Sequence, residues 1–260
     1  STRFSPSQIQ SPIPNGRRPA RAERIRFSYN TDVTKQADLI AYLFEGQPHQ
    51  LSGTLLSWMD ASPRFVTFVE TYRDKIRKKI RVARDPESAL DVLGELAVAC
   101  GLLADRRFEV VYEPYSSAKR RGPDFAVTYR VNLTFNVEVA RLRMEGGADG
   151  AGQSRTEERI LRILLNKLGQ MQPGMANLLA ILTHAEVARS FDLAGLLHDI
   201  KTRAEAKDPI FYTASRYTGP ADFYRDFLRL SGIVLWSSGA QLWVNKQSRP
   251  ALDSKVMRLV

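Results

Sequence analysis

Three acidic residues, Glu95, Asp124 and Glu138, lie among apolar neighbours in the sequence. Their order along the chain could bring the three carboxylates together in the folded protein. The neighbours of Glu95 at helical spacing are all apolar, namely Val92, Val98, Ala99 and Leu102. Its side chain therefore points to a buried helix face. A carboxylate in that setting needs a polar or charged partner, because burial penalises an unpaired charge.

The other two acids belong to segments with strand character. Asp124 follows Gly122-Pro123 where a strand begins, and Glu138 lies between two valines that mark a buried strand. Two acids on neighbouring strands beneath a helix that carries a third form an oxygen-ligand set of the kind that Mg²⁺ prefers. The alternative is structural: Asp124 caps the turn, and Glu138 pairs with Arg141 or Arg143 across the sheet.

Hydrophobic periodicity predicts the elements that must position these acids. A helix starts at Asp85-Pro86 and runs to about Ala104. We then expect a three-stranded meander, a helix, a buried strand, two helices and a closing hairpin; the ranges are 108–112, 123–129, 132–142, 156–170, 178–183, 193–206, 221–230, 232–236 and 241–244. This order is typical of a mixed α/β fold with helices packed on a sheet.

The segments before residue 86 carry most of the excess positive charge. The formal net charge is +10. Residues 1–30 predict a basic flexible tail and residues 31–85 a helical subdomain. Residues 64–84 contain eight Lys and Arg against Glu70 and Asp74, and the polar side of their amphipathic helix is a candidate nucleic-acid surface formed by Arg73, Arg77, Lys78, Lys79 and Arg81. A solvated helix face is the simpler alternative.

Composition and spacing exclude several other classes. No apolar run approaches the roughly 20 residues of a membrane-spanning helix. The histidines lack zinc-ligand spacing, and neither a Walker loop nor a Gly-x-Ser-x-Gly elbow occurs. A single cysteine, Cys100, forms no internal disulfide and no signal-peptide pattern is visible, so we expect a cytoplasmic protein.

The three acids and their flanks resemble the PD-(D/E)XK nuclease superfamily, which is also called restriction endonuclease-like. The resemblance covers roughly residues 86–250 and implies a nuclease-like domain over residues 86–260. Its motifs are Glu95 on a first helix, Gly122-Pro123-Asp124-Phe125, and Val137-Glu138-Val139-Ala140. It implies a mixed sheet flanked by helices, with Asp124 and Glu138 as ligands of Mg²⁺. It also implies that Glu95 is an auxiliary ligand or base.

The sequence departs from that family at one position. The family carries a lysine two residues after the strand acid, where this chain has Ala140. Strand alternation places Arg141 and Arg143 on the face opposite to Glu138, so neither replaces that lysine without a bulge. Lys167 on the following helix and Lys119 in the preceding loop are the candidates for a lysine supplied from elsewhere.

Two functions therefore remain open at the level of sequence. The first is Mg²⁺-dependent hydrolysis of phosphodiester bonds in DNA or RNA, with Glu95, Asp124, Glu138 and Lys167 as the catalytic set. The second is a nuclease-like module without catalytic activity, which binds nucleic acid or a protein partner through its basic helices. The sequence defines neither the strandedness of a substrate nor the oligomeric state.

Overall fold

The computed structural model describes residues 34–115, 122–143, 152–237 and 240–260. Within them, a six-stranded mixed sheet is flanked by helices, which confirms the α/β class expected from the sequence. The predicted basic tail, residues 1–30, and the candidate Lys119 lie outside the described residues. No helix of the described ranges has both the length and the apolar composition needed to cross a bilayer.

Three helices precede the sheet. Helix α1 covers residues 34–43, α2 is Ser52–Ala61 and α3 is Pro63–Val82. Pro63 occupies the first turn of α3, and the hydroxyl oxygen of Ser62 accepts a hydrogen bond from the backbone N–H of Phe65 at 3.2 Å. This cap satisfies one of the backbone donors that a helix start leaves free. It fixes where the long basic helix begins.

Helix α4, Pro86–Ala104, carries the first candidate acid. Its start is the one that the sequence predicts: Asp85 accepts a hydrogen bond from the N–H of Ser88 at 2.9 Å, and Pro86 opens the helix. Helix α4 packs against α3 on one side and against the sheet on the other. It therefore lies between the basic helix and the strands.

The sheet consists of β1 (Phe108–Tyr112), β2 (Phe125–Tyr129), β3 (Leu133–Arg141), β4 (Ala176–Leu182), β5 (Leu230–Trp236) and β6 (Gln241–Val244). The strands lie in the order in which they follow one another in the chain. The first three form the predicted antiparallel meander, and β3, β4 and β5 are parallel. The hairpin of β5 and β6 closes the sheet, as the sequence predicts.

The remaining helices are α5 (Gly152–Leu168), α6 (Ala185–Ser190), α7 (Leu193–Glu205), α8 (Pro209–Thr213), α9 (Pro220–Phe227) and α10 (Ser254–Met257). The sequence did not predict the short helices α6, α8 and α10, because four to six residues are too few to show a helical period. Helix α5 starts four residues before its expected start at Thr156.

Two apolar cores lie on the two faces of the sheet. The first joins buried side chains of α1–α4 to those of β1–β3, among them Leu55, Phe65, Leu96, Phe125 and Phe135. The second is formed mainly by α5–α9 with strands β4 and β5. The helices of residues 31–85, expected as a subdomain, thus share a core with the sheet. This shared core places α3 beside the candidate acids.

Candidate active site

Asp124 and Glu138 lie side by side at one end of the β2–β3 pair. Phe125 of β2 pairs with Val137 of β3, so Asp124, the residue before β2, stands next to Glu138. Oδ2 of Asp124 accepts a hydrogen bond from the N–H of Val139 at 2.8 Å. This backbone contact fixes the Asp124 carboxylate against the strand that carries Glu138.

Glu138 pairs with a lysine of helix α5, which packs on the face of the sheet opposite to α3 and α4. Its residue is only 3% exposed, and the ammonium of Lys167, in the last turn of α5, donates a hydrogen bond to its Oε1. Its second oxygen, Oε2, is buried and has no hydrogen-bond partner among the described residues. One oxygen of a buried carboxylate is therefore available to a ligand.

Glu95 reaches the same region from helix α4. Its Oε2 accepts hydrogen bonds from the hydroxyl of Tyr112 and from the ammonium of Lys79, each at 2.6 Å. The sequence indicated a buried carboxylate that needs partners, and these two groups are the partners. No sequence pattern marks Tyr112 as such a partner, although strand alternation places it on the same inward face as Phe108.

Lys79 has a place that the charge pattern did not suggest. Its ammonium lies 3.0 Å from Oε1 of Glu113 and 3.9 Å from Oδ1 of Asp124, in addition to its contact with Glu95. It was expected to belong to a nucleic-acid surface on α3. In the folded chain it instead inserts among carboxylates, and its side chain is 26% exposed. Sequence separation conceals such a contact, since Lys79 and Asp124 are distant along the chain.

Burial dominates the electrostatics of the three acids. Burial, followed by the nearby carboxylate of Glu138, raises the pKa of Asp124 to about 6. The pKa of Glu138 is raised by burial although Lys167 counteracts it, and the pKa of Glu95 is raised by burial and by Asp124. Carboxyl groups with raised pKa values in a cleft are typical of functional sites, and structural ion-pair networks produce the same shifts.

An open cleft of about 350 Å³ gives solvent access to Glu95, Asp124 and Lys167. Its lining residues are Asp91, Glu95, Asp124, Val139, Ala140, Arg141, Arg143 and Lys167. Arg141 and Arg143 both contact Asp91 of α4, and the sequence-level alternative in which one of them pairs with Glu138 is not observed. Ala140 and Lys167 line the same cleft.

The other basic residues of α3 have diverse surroundings. Arg77 forms an ion pair with Glu45 at 2.9 Å, and the guanidinium of Arg73 lies 5.2 Å from the ring centroid of Tyr42. Lys78 and Arg81 are exposed. A groove of about 730 Å³ between α3 and α4 is lined by Lys75, Lys78, Lys79, Val82, Ala83, Ser88, Asp91, Val92 and Glu113. This groove adjoins the cleft that Glu95 and Asp124 line, because Asp91 lines both.

Asp124 and Glu138 fit a divalent cation by two criteria. They offer hard oxygen donors, which Mg²⁺ prefers, and the free Oε2 of Glu138 is a buried acceptor that a cation would satisfy. In the parts of the chain that the structure describes, no group of three His, Cys, Asp or Glu side chains is arranged to hold a metal. Glu95 is instead engaged by Lys79.

Comparison with known proteins adds no family assignment. Neither a protein-family model nor a curated protein nor a solved structure matches the chain.

Proposed function

We propose that this protein is a divergent, Mg²⁺-dependent phosphodiesterase that acts on DNA or RNA, built on a restriction endonuclease-like variant of the mixed α/β fold. The observation that carries the proposal is the contact of Lys167 with Glu138 beside Asp124. Asp124 and Lys167 line one cleft, and Lys167 contacts the buried Glu138 beside it, although this lysine comes from a helix and not from the strand position held by Ala140.

The fold supports the proposal by the order of its elements. Helix α4 carries Glu95, the meander carries Asp124 and Glu138, and α5 leads into the parallel strand β4. This is the order that the resemblance implies from residue 86 onward. Function must be inferred from the site itself, however, because one fold serves many activities.

Each residue of the site has a distinct task in this proposal. Asp124 and Glu138 would hold Mg²⁺, which when bound offsets negative charge on the scissile phosphate. Lys167, oriented by Glu138, donates hydrogen bonds to the attacking water or to a phosphate oxygen. As the oxygen of the water bonds to phosphorus, the bond from phosphorus to the leaving sugar oxygen breaks, and that oxygen takes up a proton from solvent. Glu95 is the carboxylate assigned to accept the proton of the attacking water or to act as an auxiliary ligand.

The experiment that tests this function is a cleavage assay on labelled single-stranded and double-stranded DNA and RNA with Mg²⁺, Mn²⁺ or EDTA. We expect cleavage that requires the metal and is abolished in Asp124→Asn and Glu138→Gln, two nearly isosteric changes. Circular dichroism serves as the control for folding. If the folded wild-type protein binds nucleic acid and cleaves none of these substrates, the protein is a binding module and the proposal fails.

A further inference from the structure

Lys79 lies close to three carboxylates, those of Glu95, Glu113 and Asp124, which together with Glu138 are called the acid cluster below. A residue that only binds a ligand at the surface would not need these contacts. The ammonium of Lys79 contacts Glu95 at 2.6 Å and Glu113 at 3.0 Å, and it lies 3.9 Å from Asp124. It also lies 4.8 Å from the ring centroid of Tyr112. Burial, the largest single influence, lowers the pKa of Lys79, but the carboxylates of Glu95, Asp124 and Glu113 together outweigh it and raise the pKa.

Lys75 and Lys79 of α3 both contact the turn that follows β1. Lys75, one helical turn before Lys79, donates hydrogen bonds to the carbonyl oxygens of Tyr112 and Glu113 at 3.0 and 3.1 Å. Glu113 has a φ of 46°, a left-handed conformation that a non-glycine residue adopts only with support from its surroundings. Two lysines of α3 therefore contact the turn after β1, and the ammonium of Lys79 lies among the carboxylates.

The charges of the cluster do not cancel. Four carboxylates, those of Glu95, Glu113, Asp124 and Glu138, are accompanied by the ammonium groups of Lys79 and Lys167. With every group ionised, two negative charges remain in excess, which is the charge that one divalent cation would balance. Independently, the buried Oε2 of Glu138 has no partner in the described part of the chain and can accept such a cation.

We propose that Lys79 and a divalent cation are alternative partners of the carboxylates of Glu95 and Asp124, so that helix α3 sets the metal affinity of the site. The two cations repel each other at short range, and each attracts the same oxygens. Binding of the metal therefore requires Lys79 to turn away, and the groove between α3 and α4, which Lys79 lines, provides the space. The inference rests on the proposed function only for the existence of a divalent-cation site.

The test is calorimetric titration of the full chain with Mn²⁺ at constant pH and ionic strength. Lys79→Met removes the competing charge, so Mn²⁺ should bind about tenfold more tightly or better, which is ~1.4 kcal/mol. Lys79→Gln should do the same and is the second neutral variant in case the first does not fold. Lys246→Met is the matched control: it makes the same change at an exposed lysine that follows β6, and its affinity for Mn²⁺ should stay close to that of the wild type.

Two further variants show whether a change in Mn²⁺ affinity comes from the lost charge of Lys79 or from a loosened structure. Lys79→Arg keeps the charge and should keep the weaker, wild-type affinity, whereas Asp124→Asn should lose most of the binding. The inference is overturned if the neutral variants bind Mn²⁺ no more tightly than the wild type, if no variant binds it, or if Lys79→Arg gains as much as Lys79→Met. Tighter binding without any cleavage of nucleic acid would uphold the inference while the proposed function fails.

Discussion

Lys167 in the last turn of α5 donates a hydrogen bond to Glu138 of β3, 29 residues earlier in the chain. The contact joins a helix to the central part of the sheet, and Lys167 lines the cleft that Ala140 also lines. A lysine side chain is thus present in the cleft although the strand position two residues after Glu138 lacks one.

The pH dependence of stability should report on Asp124. Burial and then the carboxylate of Glu138 raise its pKa to about 6, against 3.8 for the ordinary side chain. The folded protein therefore binds this proton more tightly than the unfolded chain, and the free energy of unfolding falls as pH rises from about 4 to about 6. In Asp124→Asn this fall should be smaller by roughly 2 kcal/mol, as measured by urea unfolding at several pH values. Parallel curves for the two proteins would contradict the raised pKa.

Nucleic-acid binding should depend on the exposed cations of α3. Lys78→Ala combined with Arg81→Ala should weaken binding and should lower the slope of log affinity against log salt by about 2, because each phosphate that a cation neutralises adds about one to that slope. Arg77→Ala should have less effect, because Arg77 is already paired with Glu45. Fluorescence anisotropy with a labelled oligonucleotide over a salt series measures both quantities.

A matched control for that experiment is the pair Arg189→Ala and Lys246→Ala, which removes two exposed cations from the C-terminal part of the chain. If this pair changes the slope as much as the α3 pair, the nucleic acid does not bind on α3.

Two glycines provide a test of the packing around α4. A Cβ on Gly101 would lie 2.5 Å from Cζ2 of Trp236 in β5, whereas a Cβ on Gly53 of α2 would meet no atom within 4 Å. We expect Gly101→Ala to destabilise the protein by ~1–2 kcal/mol because the indole must shift. Gly53→Ala should instead stabilise it by ~0.5–1 kcal/mol, since alanine is the better helix former. Equal unfolding midpoints for the two variants would refute the close approach of α4 to Trp236.

The sequence predicted the main elements because each shows a regular period or a cap. Helix α4 begins where Asp85 and Pro86 indicate, and β6 has the predicted bounds 241–244. The expected start of α5 was less accurate, since its first turn begins with Gly152, a residue that is unfavourable in helices. Spacing within one element is local information, and these elements are determined locally.

The contacts of the site depend on tertiary packing and were only partly predictable. Strand pairing brings Asp124 to Glu138, and consecutive strands joined by a short turn made that pairing predictable. Lys167 was one of two candidates, and only the packing of α5 on the sheet selects its contact with Glu138. Lys79 was placed on a basic surface because charge patterning carries no information on which residue of a helix meets another element.

The proposed function is tested most directly by removing the lysine at position 167 and introducing one at position 140. Lys167→Met should abolish metal-dependent cleavage, and the double variant with Lys167→Met and Ala140→Lys should recover a measurable part of it, because residue 140 lines the same cleft and follows Glu138 on the same strand face. The measurement is the rate of Mg²⁺-dependent phosphodiester cleavage by the wild type and both variants, each shown to be folded. Cleavage by Lys167→Met at the wild-type rate would contradict the assignment.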